Sequence, residues 1–352
     1  MHVAEMDFEI STHIRTTLAR MVTESDLGYL GPIPELNTAV AGFAQRRWNW
    51  TIDPNKIRLA TDVGVAAVEL FRVLVKPGDG IVINSPVYTN FHTWIPEVGA
   101  VITDAPLNRE SGWRLDLAAI DSAFAAGARV LLLCNPQNPT GTVHTQAELA
   151  QLADIAAKHG AVVISDEIHA PLTYADSEFV PYLSVSDNAR KTGIVITSSS
   201  KSWNTAGLKA AIVITASDEM QAVVAGTPEA MHWRASLLGA FAMVESYENS
   251  EGWLNETVAA LDANRHFALA QFAAKLPKAK VSLPAATYLA WLDLSAYDLG
   301  ENPAATLLEK AKVGVEPGSN FGKQYGQFVR FNFATSQANI AEAIDRIASV
   351  VN

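Results

Sequence analysis

Short apolar runs closed by turn residues recur through the first two thirds of this 352-residue chain, and they constrain its fold more than any other feature. Residues 81–83, 130–133, 161–164 and 194–197 are rich in Val, Ile, Leu and Ala, without polar alternation. That is the pattern of strands covered on both faces of a parallel sheet. Between the second and third runs, Thr145 and Glu148 form a capping-box pair. Leu149, Leu152 and Ala156 mark one helical face, and Lys158, His159 and Gly160 supply a stop signal. Strand, helix, parallel strand is a right-handed crossover, and its repetition predicts an α/β layer with a mostly parallel sheet. Ligands then sit beyond the carboxyl ends of the strands.

Near Glu248 the character changes. A long helical stretch is followed by strand-like residues 280–294 and a closing helix over 338–351. The expected division is an N-terminal segment 1–28, a large domain 29–247 and a smaller α+β domain 248–352.

Lys and Arg total 26 against 37 Asp and Glu, a formal charge of −11, and no basic run interrupts the balance. The net field repels phosphodiester backbones, which argues against nucleic acid as partner. One cysteine, Cys134, excludes an intrachain disulfide framework and a cysteine-pair zinc site, so no metal is expected. A reducing cytoplasm fits that usage. The opening MHVAEMDFEI has neither the basic start nor the apolar core of a leader, and no apolar run reaches membrane-spanning length. The expectation is a cytoplasmic protein without a membrane partner.

Four segments carry the candidate chemistry: SPVYTNF (85–91), CNPQNPTG (134–141), SDEIH (165–169) and SSSKSWNTAGLK (198–209). Each falls just after a predicted strand, where a ligand would lie. Singly, each has a bland reading. Asn, Pro and Gly punctuate turns. Asp166 could cap a helix, His169 could be a structural histidine, Tyr88 could pack in a core, and Lys201 and Lys209 could be solvated charges.

Their joint order removes the bland readings: NPTG, then Asp-x-x-His after a strand, then Ser-x-Ser-Lys, with Asp166 and Lys201 35 positions apart. This pattern resembles the class I and II aminotransferase superfamily. EMDF near the start, SDEIH, SKSWN and TYLAWLDL (287–294) resemble, more narrowly, the MalY/PatB family of cystathionine and cysteine-S-conjugate β-lyases. The likeness runs over essentially the whole chain. It implies the α/β fold of the pyridoxal 5′-phosphate (PLP)-dependent transferases, fold type I and aspartate aminotransferase-like.

Carried over by position, the resemblance implies that Lys201 holds PLP as a Schiff base and moves the substrate's α-proton. A buried amine can serve as nucleophile and base near neutrality. Asp166 would pair with the pyridine nitrogen, and His169 and Asn138 would hydrogen-bond the phenolic oxygen. Tyr88 would stack on the ring, counted here with Lys201 and Asp166 as catalytic. Ser198, Ser200 and Lys209, with the backbone of Val63 and Gly64 at a helix start, would hold the phosphate. Arg330 in FVRFN would clamp the α-carboxylate with its planar fork; a domain-interface salt bridge is its bland alternative. Tyr29 would reach the phosphate of a neighbouring subunit, implying a homodimer with shared sites. Family members carry further residues before the MDF motif, where this sequence has Met1 to Glu5; either the lineage dispenses with that arm or the start lies upstream.

The activity implied is β-elimination from cystathionine or another cysteine S-conjugate, giving a thiol, pyruvate and ammonia. An aminotransferase on the same scaffold is the alternative, since fold does not separate the two. Pyruvate formed without a keto-acid acceptor discriminates them. A metabolite-responsive regulatory role is a further alternative, marked by partner binding that survives loss of Lys201.

Overall fold

The computed structural model describes residues 1–351. Seven strands build the main sheet: β1 (Ile57–Ala60), β2 (Gly80–Ile83), β3 (Val101–Asp104), β4 (Val130–Cys134), β5 (Val162–Asp166), β6 (Gly193–Thr197) and β7 (Ala211–Thr215). Their order is β1-β7-β6-β5-β4-β2-β3. All neighbouring pairs from β6 through β3 are parallel, whereas β7 runs antiparallel to both β6 and β1. The mostly parallel sheet read from the sequence is present, with one reversed strand.

That reversal has a use. Antiparallel neighbours can be joined without a crossover helix, so β6 connects to β7 through residues 198–210, a loop at the carboxyl end of β6 that carries Lys201. The helix expected between β4 and β5 is Gln146–His159, with the capping box formed and Gly160 closing it at φ 60°. Two boundaries differ by a residue or two: Ala161 precedes β5 rather than opening it, and Asp166 is the last residue of that strand. Three strands were not among those expected: β1 contains Arg58 and β3 is a half-exposed edge strand, whereas β7, AIVIT, is an apolar run like that of β6 and follows the loop after Lys201.

A second, antiparallel sheet is ordered β10-β11-β9-β8, with β8 (Lys280–Val281), β9 (Leu289–Asp293), β10 (Glu316–Pro317) and β11 (Phe328–Asn332). The strand-like stretch 280–294 is thus two strands, not one. Pro284, which has no N–H to donate, and Thr287 at φ 72° interrupt it. The long helical stretch expected from about residue 248 is Glu251–Lys275, preceded by a separate helix, Leu237–Asn249. Ser250 between them bonds the Ser11 hydroxyl at 2.7 Å and accepts the Trp203 indole N–H at 3.1 Å, tying the chain start and the lysine loop to that break. The closing helix is Gln337–Val351. Among the described residues no helix is long and apolar enough to cross a membrane.

Candidate active site

The register of the main sheet brings the motifs together. Cys134 lies opposite Asp166, and Asp166 opposite Ile196, so the segments following β4, β5 and β6 leave the sheet side by side. They wall a cavity of about 410 Å³, to which Asn138, Asp166, His169, Ser198, Ser200 and Lys201 all contribute. Tyr88, Val63 and Gly64 close it from other elements, and Lys209 from the far end of the loop after β6.

Burial sets the electrostatics. Asp166 is 4% exposed, and desolvation raises its carboxyl to about 7, against the opposing pull of the Ile168 N–H (3.1 Å) and of Lys201. Lys201 is lowered to about 8, first by burial and then by the Arg330 guanidinium; its Nζ donates to the Ala4 carbonyl at 2.8 Å. His169 is lowered to about 3 by burial, Lys201 and Arg330, so its imidazole is neutral, and its Nδ1 has no hydrogen-bond partner. Burial also raises the Tyr88 phenol, with the Asp166 charge adding to the effect. The Tyr88 oxygen accepts from Asn90 Nδ2 at 3.0 Å, and its ring lies edge-on to Phe91 and Trp94.

An anion-binding corner stands at the start of the helix Val63–Leu74. Asp62 caps it by accepting the Val65 N–H at 2.7 Å, while Val63 and Gly64 provide first-turn N–H groups without intrahelical acceptors. A Cβ on Gly64 would come within 2.6 Å of the Trp94 ring, so no larger residue fits there without movement. Lys209, at φ 53°, reaches Asp62 at 3.5 Å. Ser198 faces the cavity, but its hydroxyl donates to the Ala210 carbonyl at 2.7 Å and accepts the Ser200 N–H at 3.1 Å, which braces the loop.

Arg330 comes from β11 of the second sheet and meets the site through Asn138, whose Oδ1 accepts from Nη1 at 3.2 Å. It is 4% exposed and makes no ion pair among the described residues, so its bland reading as a salt bridge is not what the geometry shows. Tyr29 is fully exposed and takes no part in the cavity of its own chain. Sequence reasoning missed Ala4, which lines the cavity, and Tyr288, whose ring lies 6.0 Å from that of His169. Ala4 immediately precedes EMDF and Tyr288 lies within TYLAWLDL, but what each would touch depends on contacts distant in sequence.

Two adjacent strand ends holding a half-buried amine and a buried carboxyl, beside a helix-start anion corner, define a class, and the family model for aminotransferase class I and II matches residues 3–347: the chain belongs to that family. Within it, the chain is 37% identical to the cystathionine beta-lyase of Corynebacterium glutamicum, covering 99% of this chain and 92% of that protein. It is 31% identical to cystathionine beta-lyase PatB of Bacillus subtilis, over 100% and 92% of the two chains. The crystal structure of cystalysin from Treponema denticola, which contains a pyridoxal 5′-phosphate cofactor, superposes with a TM-score of 0.94 at 27% identity, covering 99% of this chain and 90% of that one.

Proposed function

We propose that this chain is a PLP-dependent carbon–sulfur β-lyase that cleaves cystathionine or a related cysteine S-conjugate to a thiol, pyruvate and ammonia. The observation that carries this reading is the Lys201 amine, brought down to about 8, in one buried cavity with the Asp166 carboxyl and the unpartnered His169 nitrogen, in a chain similar over its length to cystathionine beta-lyases.

The residues fit the cofactor: an amine for its aldehyde, a carboxyl for its ring nitrogen, a free imidazole nitrogen for its phenolic oxygen and a helix start for its phosphate. When bound, PLP supplies an electron sink that makes the α-proton of an amino acid removable. Asp166, whose charge burial alone disfavours, would hold that charge opposite a protonated pyridine nitrogen. His169 and Asn138 would bond the phenolic oxygen, and Tyr88 would cover the ring face. Val63, Gly64, Ser200 and Lys209 would hold the phosphate, with Ser198 contributing its loop.

Arg330 would take the substrate carboxylate and orient the α-carbon toward Lys201. An amine near 8 is partly neutral at physiological pH, so Lys201 can accept the α-proton there. The electron pair left beside the β-carbon expels thiolate, and the resulting enamine hydrolyses to pyruvate and ammonia. Tyr29, presented to solvent, would complete the phosphate site of a second copy in a homodimer. The cytoplasm is the compartment that the lone, buried Cys134 suits.

A steady-state comparison of cystathionine, cystine and amino-acid/keto-acid pairs tests the reading. The expected result is thiol and pyruvate from the sulfur substrates with no acceptor present. Turnover that depends on a keto acid would establish an aminotransferase instead.

A further inference from the structure

Two asparagines outside this chemistry tie the start of the chain across the site. Asn332 lies two residues beyond Arg330 on β11, so both side chains leave the same face of the strand. Its Nδ2 donates to the Val3 carbonyl at 2.7 Å and the Glu5 carbonyl at 2.6 Å, while its Oδ1 accepts the Ala334 N–H at 2.8 Å. Asn204 lies three residues beyond Lys201, at φ 58°. Its Nδ2 donates to the Met6 and Phe8 carbonyls at 2.8 and 3.1 Å, and its Oδ1 accepts the Met6 N–H at 3.1 Å. Within this run, the His2 carbonyl accepts from Arg330 Nη2 at 2.9 Å. The Ala4 carbonyl accepts from Lys201 Nζ at 2.8 Å and from the Tyr288 hydroxyl at 2.9 Å.

We propose that residues 2–8 form a positioning strap, and that Asn332 and Asn204 are the positioning residues that hold it so that the Arg330 fork is set to receive the substrate α-carboxylate. The charge balance favours this role. A buried guanidinium normally requires a carboxylate partner, yet the groups that bond Arg330 are two neutral acceptors, the His2 carbonyl and Asn138 Oδ1, and its Nε is unpartnered. Neutral tethers fix the plane of the fork, and Glu316, opposite Arg330 on β10, acts on its charge through space without bonding its donors, which stay available to an incoming anion. A carboxylate tether would compete with the substrate. The strap also joins the loop that carries Lys201, through Asn204, to β11, which carries Arg330, through Asn332, and so sets the spacing between those two elements without using the Lys201 Nζ that the cofactor would take up. It gives EMDF, the Asn of SKSWN and the Asn of FVRFN one shared physical task.

The inference rests on the reading of Arg330 as the carboxylate clamp, and its test separates the two. The PLP-loaded protein is titrated calorimetrically with 3-(methylthio)propionate, which has no amine to react, and with its methyl ester; the readout is the ratio of the two affinities. Amide hydrogen exchange at residues 3–6 reports whether the strap is held. Arg330→Lys is expected to collapse the ratio. Asn332→Ala and Asn204→Gly, the latter suited to the left-handed backbone, are each expected to lower it by about fivefold or more, the scale of one ordinary hydrogen bond, with faster exchange at 3–6. The double variant should lose no more than the larger single loss, because a strap released at either end is released. An unchanged ratio in Asn332→Ala and Asn204→Gly despite faster exchange, with Arg330→Lys still collapsing it, would overturn the strap. Additive losses would overturn it too, since they mean two independent contacts. An unchanged ratio in Arg330→Lys would overturn the clamp itself, and the strap with it. Should Asn332→Ala not fold, Asn332→Ser and Asn204→Gly carry the same comparison.

Discussion

The two halves of the site are held in different ways. On the main sheet, Asn138, Asp166, His169 and Lys201 lie at or just beyond the ends of three neighbouring strands, so sheet register sets them side by side. On the other side, Arg330 comes from the second sheet, and its donors meet the carbonyl of His2, 328 positions away, and Asn138. Chemistry near the α-carbon is therefore anchored by local structure, and recognition of the substrate carboxylate by contacts distant in sequence. Substitutions in the first half should abolish turnover in a folded protein. Those in the second should weaken binding and leave the cofactor in place.

The largest effect is expected at Lys201. Lys201→Ala should lose at least the roughly 10²- to 10⁴-fold of a positioned acid–base group, because it also loses the cofactor linkage. Asp166→Ala should fold and lower kcat by about 10² or more, as when a preorganised charge is removed. As a mere cap of the turn at Ile168, Asp166 would cost only about 1 kcal/mol of stability and leave catalysis alone. Near-normal kcat in folded Asp166→Ala would break the comparison at its stronger half.

Tyr29 sharpens the comparison across subunits. If it serves the partner's site, Tyr29→Ala and Lys201→Ala homodimers that are each crippled should form mixed dimers with one intact site. With random pairing about half the dimers are mixed, and roughly a quarter of wild-type activity should return. No recovery after verified subunit exchange would reject the shared site.

The smallest effect is on stability. In the cofactor-free protein the Asp166 carboxyl sits near 7, above its unfolded value of about 3.9. The folded state then binds the proton more tightly, so this group's contribution to stability falls as pH rises from about 4 to 7. Cofactor-free Asp166→Asn should gain stability over wild type across that window, with the gap constant above it. A gap that does not change with pH, measured by urea unfolding, would mean that burial does not shift this carboxyl.

The first half of the site was legible because each motif follows an apolar run, and the ends of parallel strands are where ligands gather. Arg330 was found through its likeness to a family, since nothing near residues 328–332 says what the guanidinium will meet. The strap was not legible. His2 and Ala4 act through backbone carbonyls, which any residue supplies, so their side chains carry no signal. Tyr29 is legible only as an aromatic in a turn, and its full exposure sets it apart from Tyr88, which is partly buried against Phe91 and Trp94. The split of residues 280–294 into two strands followed from Pro284, a residue whose missing donor was there to be read.

Lys201 and Lys209 line the same cavity, one half-buried and held by the Ala4 carbonyl, the other largely exposed beside Asp62. Reduction of the PLP-loaded protein with borohydride, followed by peptide mapping, decides between them. The account predicts that the cofactor is fixed to the peptide containing Lys201. A label on Lys209, or on any other lysine, would contradict it.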